Sequence, residues 1–252
     1  MTQAPSGSVA GRLAGRHLLL TGVTGFVGEA LLHLLLHEVP DVRVSLLVRP
    51  KGSTGGAARI AKLLEKPVFE QAVAHAGGVE ALLESRLGVV EGDLADVPAL
   101  PADLDAVVHC AGDVSFDPPV DEAFTTNVVG TRDLLARVVE AGREAGRDVH
   151  YLHVSTAYVA GRRRGHVPEA PVEHDVDLEA ELAWGLAQRR DTEHRSRSAE
   201  VLEAARRRAE KAHSRAGLLT AATATEQARR DWVSAELVRV GTERARSLGW
   251  TR

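Results

Sequence analysis

The stretch Leu18-Leu19-Leu20-Thr21-Gly22-Val23-Thr24-Gly25-Phe26-Val27-Gly28 constrains this chain more than any other. An apolar run meets three glycines at T-G-x-x-G-x-x-G spacing and passes directly into a helical pattern over residues 29–38. Strand, glycine-rich turn and helix in that order make a dinucleotide-binding turn. Each glycine has its own task. Gly22 permits the tight turn, Gly25 lets the backbone approach a pyrophosphate with no Cβ between them, and Gly28 lets the helix pack closely on the sheet. The segment through Thr24, Phe26 and Val27 presents free N–H groups and the positive end of a helix dipole to the phosphates. A glycine-rich loop without a ligand is the alternative; the agreement of the flanking strand and helix weighs against it.

The rest of the chain supports one sizeable core, or one domain plus an appendage, in 252 residues with 44% hydrophobic content. A formal charge of -4 gives no reason to expect a nucleic-acid partner. The lone cysteine, Cys110, excludes an internal disulfide and a thiolate zinc cluster. His33 and His37 stand at i and i+4 without a third ligand, so no metal site is expected. The first 15 residues are small and polar, without a signal peptide's apolar region, and no stretch approaches a membrane span. A soluble cytoplasmic protein is therefore expected. Nothing indicates a membrane contact, and the oligomeric state stays open.

From residue 16 to residue 155 strands alternate with helices. Strands are expected at 17–21, 42–48, 87–90, 106–110 and 149–155, with helices at 29–38, 57–64, 68–85 and 120–142. Short buried strands separated by helices predict an α/β fold, a doubly wound parallel sheet of Rossmann-like type. Beyond residue 178 the chain is rich in Ala, Glu, Arg and Leu and reads as helix, with Arg206, Arg207 and Arg208 among glutamates on solvated faces. The expected organisation is a disordered tail over 1–14, a nucleotide-binding domain over 15–175 and a helical segment over 176–252.

Arg49 closes the second strand, about 20 residues past the last fingerprint glycine. An acidic residue there would bind both ribose hydroxyls of NAD; an arginine offers a fork of donors to a 2′-phosphate, with Lys51 and Arg59 near in sequence. This favours NADPH, against the reading of Arg49 as an ordinary surface residue. Asp93 and Leu94 follow the third strand, where a carboxylate can accept from an adenine amine; a turn with an Asp cap is the alternative. Cys110, Ala111 and Gly112 end the fourth strand with little bulk beside the ribose and nicotinamide. Cys110 reads as a small filler rather than a nucleophile, and His109 as a packed strand residue. Asn127 can bond backbone carbonyls near the cofactor. Ser155 and Thr156 end the fifth strand with hydroxyls facing the crevice, where one could polarise a substrate carbonyl.

These motifs in this order resemble an extended short-chain dehydrogenase/reductase, and more closely the fatty acyl-CoA reductases with their male-sterility-type NAD-binding domain. The resemblance rests on Thr21–Gly28, Leu46-Leu47-Val48-Arg49-Pro50, Val90-Glu91-Gly92-Asp93-Leu94, Val114-Ser115-Phe116-Asp117-Pro118-Pro119 and His153-Val154-Ser155-Thr156-Ala157-Tyr158. It covers residues 15–170 and, less closely, residues 232–250. It implies NADPH-dependent reduction of a long-chain acyl-CoA to an aldehyde or onward to an alcohol, with Thr156 the carbonyl-binding hydroxyl and Ser155 its neighbour.

The resemblance also implies a proton-donating Tyr and a Lys in a Y-x-x-x-K helix, and these residues are not found here. Tyr151 and Tyr158 are the tyrosines; four residues on stand Ser155 and Arg162. The expectation is a truncated reductase, with a sheet incomplete on its C-terminal side. Two rivals remain open: a thioester reductase acting on carrier-protein-bound acyl groups, and a non-catalytic NADP-binding or interaction protein.

Overall fold

A computed structural model describes residues 7–156, 161, 163–170, 174–212 and 218–250. They form two units. The first comprises Met1–Gly112 and Val129–Ser155, the second Asp113–Val128 and Thr156–Arg252.

The first unit is built on five strands, β1 (His17–Thr21), β2 (Arg43–Val48), β3 (Leu87–Glu91), β4 (Ala106–His109) and β5 (His150–His153). They pair in the order β3-β2-β1-β4-β5, every pair parallel. This is the doubly wound sheet that the alternating pattern predicts. The five residues of β1 are buried because β1 is central and covered on both faces. Its side chains alternate: Leu18 and Leu20 join one apolar cluster and Leu19 the other. The first cluster takes Leu32, Leu35 and Leu36 from α2 (Phe26–Glu38) and Ile60, Leu63 and Leu64 from α3 (Gly56–Leu64). It also holds Leu82 of α5 (Val79–Ser85), which follows α4 (Glu70–Ala76). The second cluster takes Leu134 and Val138 from α7 (Gly130–Ala145), four residues apart on one helical face. Burying each such leucine contributes about 1.5–3 kcal/mol.

Three local expectations are corrected. The stretch 7–14, within the expected tail, contains a short helix α1 (Val9–Leu13), because the Ser8 hydroxyl accepts from the Gly11 N–H and caps it. The helix expected over 68–85 is broken between α4 and α5, because Gly77 and Gly78 adopt φ of 88° and 132°, which no α-helix tolerates. The helix expected over 120–142 is also divided. A short α6 (Val120–Ala123) leads into a π-helical turn, Phe124–Val129, before α7 begins. The π turn contains Thr125, Thr126, Val128 and Val129, whose branched Cβ atoms are poor helix formers.

β5 is the edge strand on one side of the sheet among the described residues, and its Leu152 is half exposed. In the second unit, α6 packs with α8 (Leu178–Arg195) and α10 (Leu218–Ser247), and α9 (Ala199–Ala212) packs on α10. Val120, Val233 and Leu237 form its buried centre, flanked by Phe124, Trp184 and Trp232. α8 and α10 are tied by Arg229–Glu193 at 2.7 Å, Arg195–Glu236 at 2.8 Å and Arg244–Glu181. The charges read from sequence as a solvated face stay on their own helix: Arg206 and Arg207 pair with Glu210 and Glu203, four residues away and exposed. No helix is long and apolar enough to cross a membrane among the described residues.

Candidate functional site

The sheet reverses its order between β1 and β4: the chain proceeds from β1 outward to β2 and β3, then returns to the other side of β1. The loops at the carboxyl ends of β1 and β4 therefore diverge, leaving the crevice in which doubly wound sheets bind ligands. The glycine turn lies at that point.

Gly22 has φ of 72°, and a Cβ there would stand 2.7 Å from the Ala111 nitrogen and from the Cys110 carbonyl carbon. The turn after β1 is thus pressed against the end of β4, and glycine alone fits. A Cβ on Gly28 would collide with the Gly22 carbonyl group and lie 2.9 Å from the Val23 Cα, as expected for a helix seated tightly on the strand it follows. Gly25 differs. A Cβ there would meet just one atom within 4 Å, the Gly22 oxygen at 3.3 Å. Its outer side is open, so what a side chain at this position would obstruct is an approaching ligand rather than the protein.

The Gly25 N–H donates to the Gly22 carbonyl at 2.9 Å, and the Gly25 carbonyl accepts from Glu29 at 2.9 Å, so Gly25 caps α2 with no side chain to satisfy the first turn. The N–H groups of Phe26, Val27 and Gly28 precede the first i to i−4 bond and have no acceptor within the helix. Thr24, Phe26 and Val27 are exposed, Phe26 at 91%. Amides, helix dipole and the bare side of Gly25 together fit a pyrophosphate.

Behind the turn lies a polar chain that the sequence reading missed. Thr21 Oγ1 accepts from the Cys110 N–H at 3.2 Å and the Ala111 N–H at 3.1 Å. It also contacts His109 Nδ1 at 2.7 Å, while His109 Nε2 meets Thr131 Oγ1 at 3.1 Å. With both Thr21 lone pairs engaged by amides, its proton goes to Nδ1. His109 is then the neutral Nε2–H tautomer donating to Thr131. Burial, with the His153 imidazole nearby, pushes the His109 pKa down to about 4, in agreement. The available signal was a threonine and a histidine ending adjacent parallel strands, Thr21 paired with His109. Burial pushes the Cys110 thiol pKa up, which suits a filler and not a nucleophile. Ala111 is half-buried and Gly112 exposed beside it.

At the end of β2, Arg59 of α3 donates to the Arg49 carbonyl at 2.5 Å and to Thr24 Oγ1 at 3.4 Å. Arg49 Nη1 stands 3.8 Å from Asp93 Oδ2, and both side chains are largely in solvent. Asp93 also accepts from the Ala95 N–H at 3.2 Å through its other oxygen, so it makes the Asx turn raised as its alternative role. Leu94 is corrected. Its side chain belongs to the second apolar cluster and lies where a Cβ on Gly130 would approach it to 2.7 Å, which makes it a core residue with no side-chain surface for a ligand.

Ser155 follows β5, whose pairing with β4 is extended by the Val154 N–H to His109 carbonyl bond at 2.9 Å. Ser155 is exposed, as is Thr156. Asn127 and Thr156 belong to the second unit. Asn127 clasps the Asp113 backbone, accepting from its N–H at 2.8 Å and donating to its carbonyl at 3.0 Å. Asp113 Oδ1 in turn accepts from the Ser115 N–H at 2.9 Å. Asn127 thus fixes the loop that carries the exposed Val114 and Phe116. Tyr158 lies outside the described residues. No group of three or more acidic, histidine or cysteine side chains is placed to hold a metal ion among the described residues.

Residues 20–231 match the model of the male sterility protein family, an NAD-binding family. The chain is 32% identical over 179 residues to fatty acyl-CoA reductase 1 of Gallus gallus, a match covering 68% of this chain and 34% of that protein. It is 30% identical over 157 residues to fatty acyl-CoA reductase 2 of Homo sapiens, covering 60% of this chain and 30% of that one. Among solved structures, the terminal R domain from the myxalamid PKS-NRPS biosynthetic pathway is 28% identical, covering 69% of this chain and 44% of that chain with a TM-score of 0.45. The matches span about one third of the length of the curated relatives.

Proposed function

Because the chain belongs to the male sterility protein family of NAD-binding domains, we propose that it is the nucleotide-binding part of an NADPH-dependent fatty acyl-CoA reductase. The observation that carries this reading is the glycine turn: a tight turn, an uncapped helix N-terminus and a glycine whose outer face is open, all at the reversal point of the sheet. The names of the two relatives above support a fatty acyl-CoA as substrate; a long acyl chain, and reduction to an aldehyde or onward to an alcohol, extend that reading.

NADPH is favoured over NADH by charge. At the carboxyl end of β2 Arg59 reaches both the Arg49 carbonyl and the Thr24 hydroxyl, which puts two cations where a 2′-phosphate needs them and where the two ribose hydroxyls of NADH would need an acceptor. Gly22, Thr24, Gly25, Phe26, Val27 and Gly28 hold the pyrophosphate, mainly through backbone. Asp93 serves the adenine, while Cys110, Ala111 and Gly112 leave room for the ribose and nicotinamide. Asn127 orders the 113–119 loop.

When bound, NADPH would supply the hydride for the thioester carbonyl carbon, and breaking of the carbon–sulfur bond would release the coenzyme A thiolate and leave the aldehyde. As negative charge grows on the carbonyl oxygen, the Thr156 hydroxyl donates a hydrogen bond to it, with Ser155 able to take its place. Calorimetric titration of the 252-residue chain with NADPH and NADH tests the reading. Micromolar binding of NADPH with weaker binding of NADH is the expected result. Binding of neither nucleotide overturns it.

A further inference from the structure

We propose that His109 is a positioning residue for the nucleotide, acting through Thr21: its imidazole makes the Thr21 hydroxyl the shared acceptor of the Cys110 and Ala111 amides and so sets the spacing of the two turns that face the crevice. The nucleotide half of this inference rests on the functional reading above. The hydrogen-bond half stands on geometry alone.

The two turns cannot come closer, since at Gly22 even a Cβ would lie 2.7 Å from Ala111 N. One oxygen also ties them together. Thr21 Oγ1, on β1, receives both amides of the turn after β4. A threonine hydroxyl is a rotor, and it serves both amides only while its own proton is directed elsewhere. His109 Nδ1, 2.7 Å away, is where that proton goes. The imidazole is itself oriented by Thr131 Oγ1 in the first turn of α7, 3.1 Å from Nε2. Thr21 and His109 are both fully buried, so water does not substitute for either contact. Three elements, β1, β4 and α7, thus converge on one side chain behind the pyrophosphate turn.

Only the neutral imidazole can do this. An imidazolium would carry a proton on Nδ1 and compete with the amides for a Thr21 lone pair. The groups that face the ring from β5 are the His153 imidazole at 5.1 Å and the Tyr151 ring at 6.2 Å; Cys110 follows His109, just past the end of β4. Neither ring supplies a negative charge to hold a cation there.

Four variants of the whole chain test the inference: Thr21→Val, Thr21→Ser, His109→Ala and His109→Asn. Valine keeps the shape of threonine without its oxygen, and serine keeps the oxygen. Asparagine keeps an acceptor near the Nδ1 position and loses the Thr131 contact. Amide hydrogen exchange at Cys110 and Ala111 is measured without nucleotide, and the dissociation constant for NADPH is measured beside it. Thr21→Val and His109→Ala should each speed exchange at both amides about tenfold and weaken NADPH about tenfold, the effect of one lost net hydrogen bond. Thr21→Ser should match the parent, and His109→Asn should fall between.

A merely structural role for His109 would lower thermal stability without the paired change at these two amides. Unchanged exchange in His109→Ala overturns the inference. So does unchanged NADPH affinity in a His109→Ala protein whose amides exchange faster, and in both cases the functional reading survives. A parent chain that binds no nucleotide overturns that reading and the positioning role together, while the exchange data still decide the hydrogen bonds.

Discussion

Arg59 Nη1 donates to the backbone carbonyl of Arg49 at 2.5 Å, so a side chain on α3 holds in place the residue that follows β2. Its other terminal nitrogen reaches Thr24 in the glycine turn. The arginine that would read a 2′-phosphate is therefore anchored through its main chain, with its guanidinium left beside Asp93 at 3.8 Å. That pair is solvent-exposed and contributes little to stability, so a phosphate can displace it at small cost. Arg49→Asp should abolish the preference for NADPH over NADH, a loss of about 1.5–3 kcal/mol or roughly 10- to 150-fold in relative affinity. Equal dissociation constants for the two nucleotides on the parent chain would sink the assignment.

The three fingerprint glycines should separate in mutagenesis. Gly25→Val places its branched side chain in open space and should retain the parent circular dichroism and unfolding transition while losing nucleotide binding. Gly28→Ala drives a methyl group into the Gly22 carbonyl and should lower stability by about 1–3 kcal/mol or more. Gly22→Ala combines the same kind of collision with a φ of 72° and should be at least as damaging. Should Gly25→Val bind as the parent does, the open face is not where the pyrophosphate lies.

Acid should destabilise the first unit before its carboxylates begin to titrate. His109 has an ordinary pKa of 6.5 when unfolded and one lowered to about 4 when folded. Between those values the unfolded chain holds more protons, so stability is complete above about pH 6.5 and falls as the pH drops towards 4. The loss is at most about 3 kcal/mol. Asp103 and Asp105 are held below the usual carboxylate range by contacts that include Arg43 for the first and the His17 N–H for the second, so their contribution is lost at lower pH. Urea midpoints measured from pH 7 to pH 4.5 should fall in the parent and stay flatter in His109→Asn. A parent midpoint that does not move over that range contradicts a buried neutral His109.

What the sequence showed and what it hid differ by range of interaction. The strand positions and the tasks of Gly22 and Gly28 are legible because glycine spacing and apolar runs are local signals. The breaks at Gly77-Gly78 and over Phe124–Val129 were legible in principle, and a helical period ran across both. Leu94 sits next to Asp93 in a motif, yet it faces Gly130, 36 residues on, and that partner is set by the docking of α7. The Thr21–His109–Thr131 chain spans 110 residues and appears only when β1 and β4 are known to be neighbours. Read alone, His109 is one more apolar-strand histidine.

The last prediction concerns chemistry by residues 1–252. Hydride transfer to a thioester carbonyl builds negative charge on oxygen, and on the proposed reading the Thr156 hydroxyl gives it one neutral hydrogen bond. A positioned acid would add about 10²–10⁴-fold. Neither tyrosine has a lysine four residues on. Tyr151 does not stand in, because its hydroxyl is buried without a hydrogen-bond partner among the described residues and burial pushes its pKa up to about 12. Acyl-CoA-dependent oxidation of NADPH by this chain should therefore be weak or absent even where the nucleotide binds. The measurement is the fall in NADPH absorbance on adding a long-chain acyl-CoA, with Thr156→Val and Ser155→Ala as controls. Robust turnover that disappears in Thr156→Val would show that another group among these residues delivers the proton, and the assignment of this chain as the binding half of the enzyme would have to be abandoned.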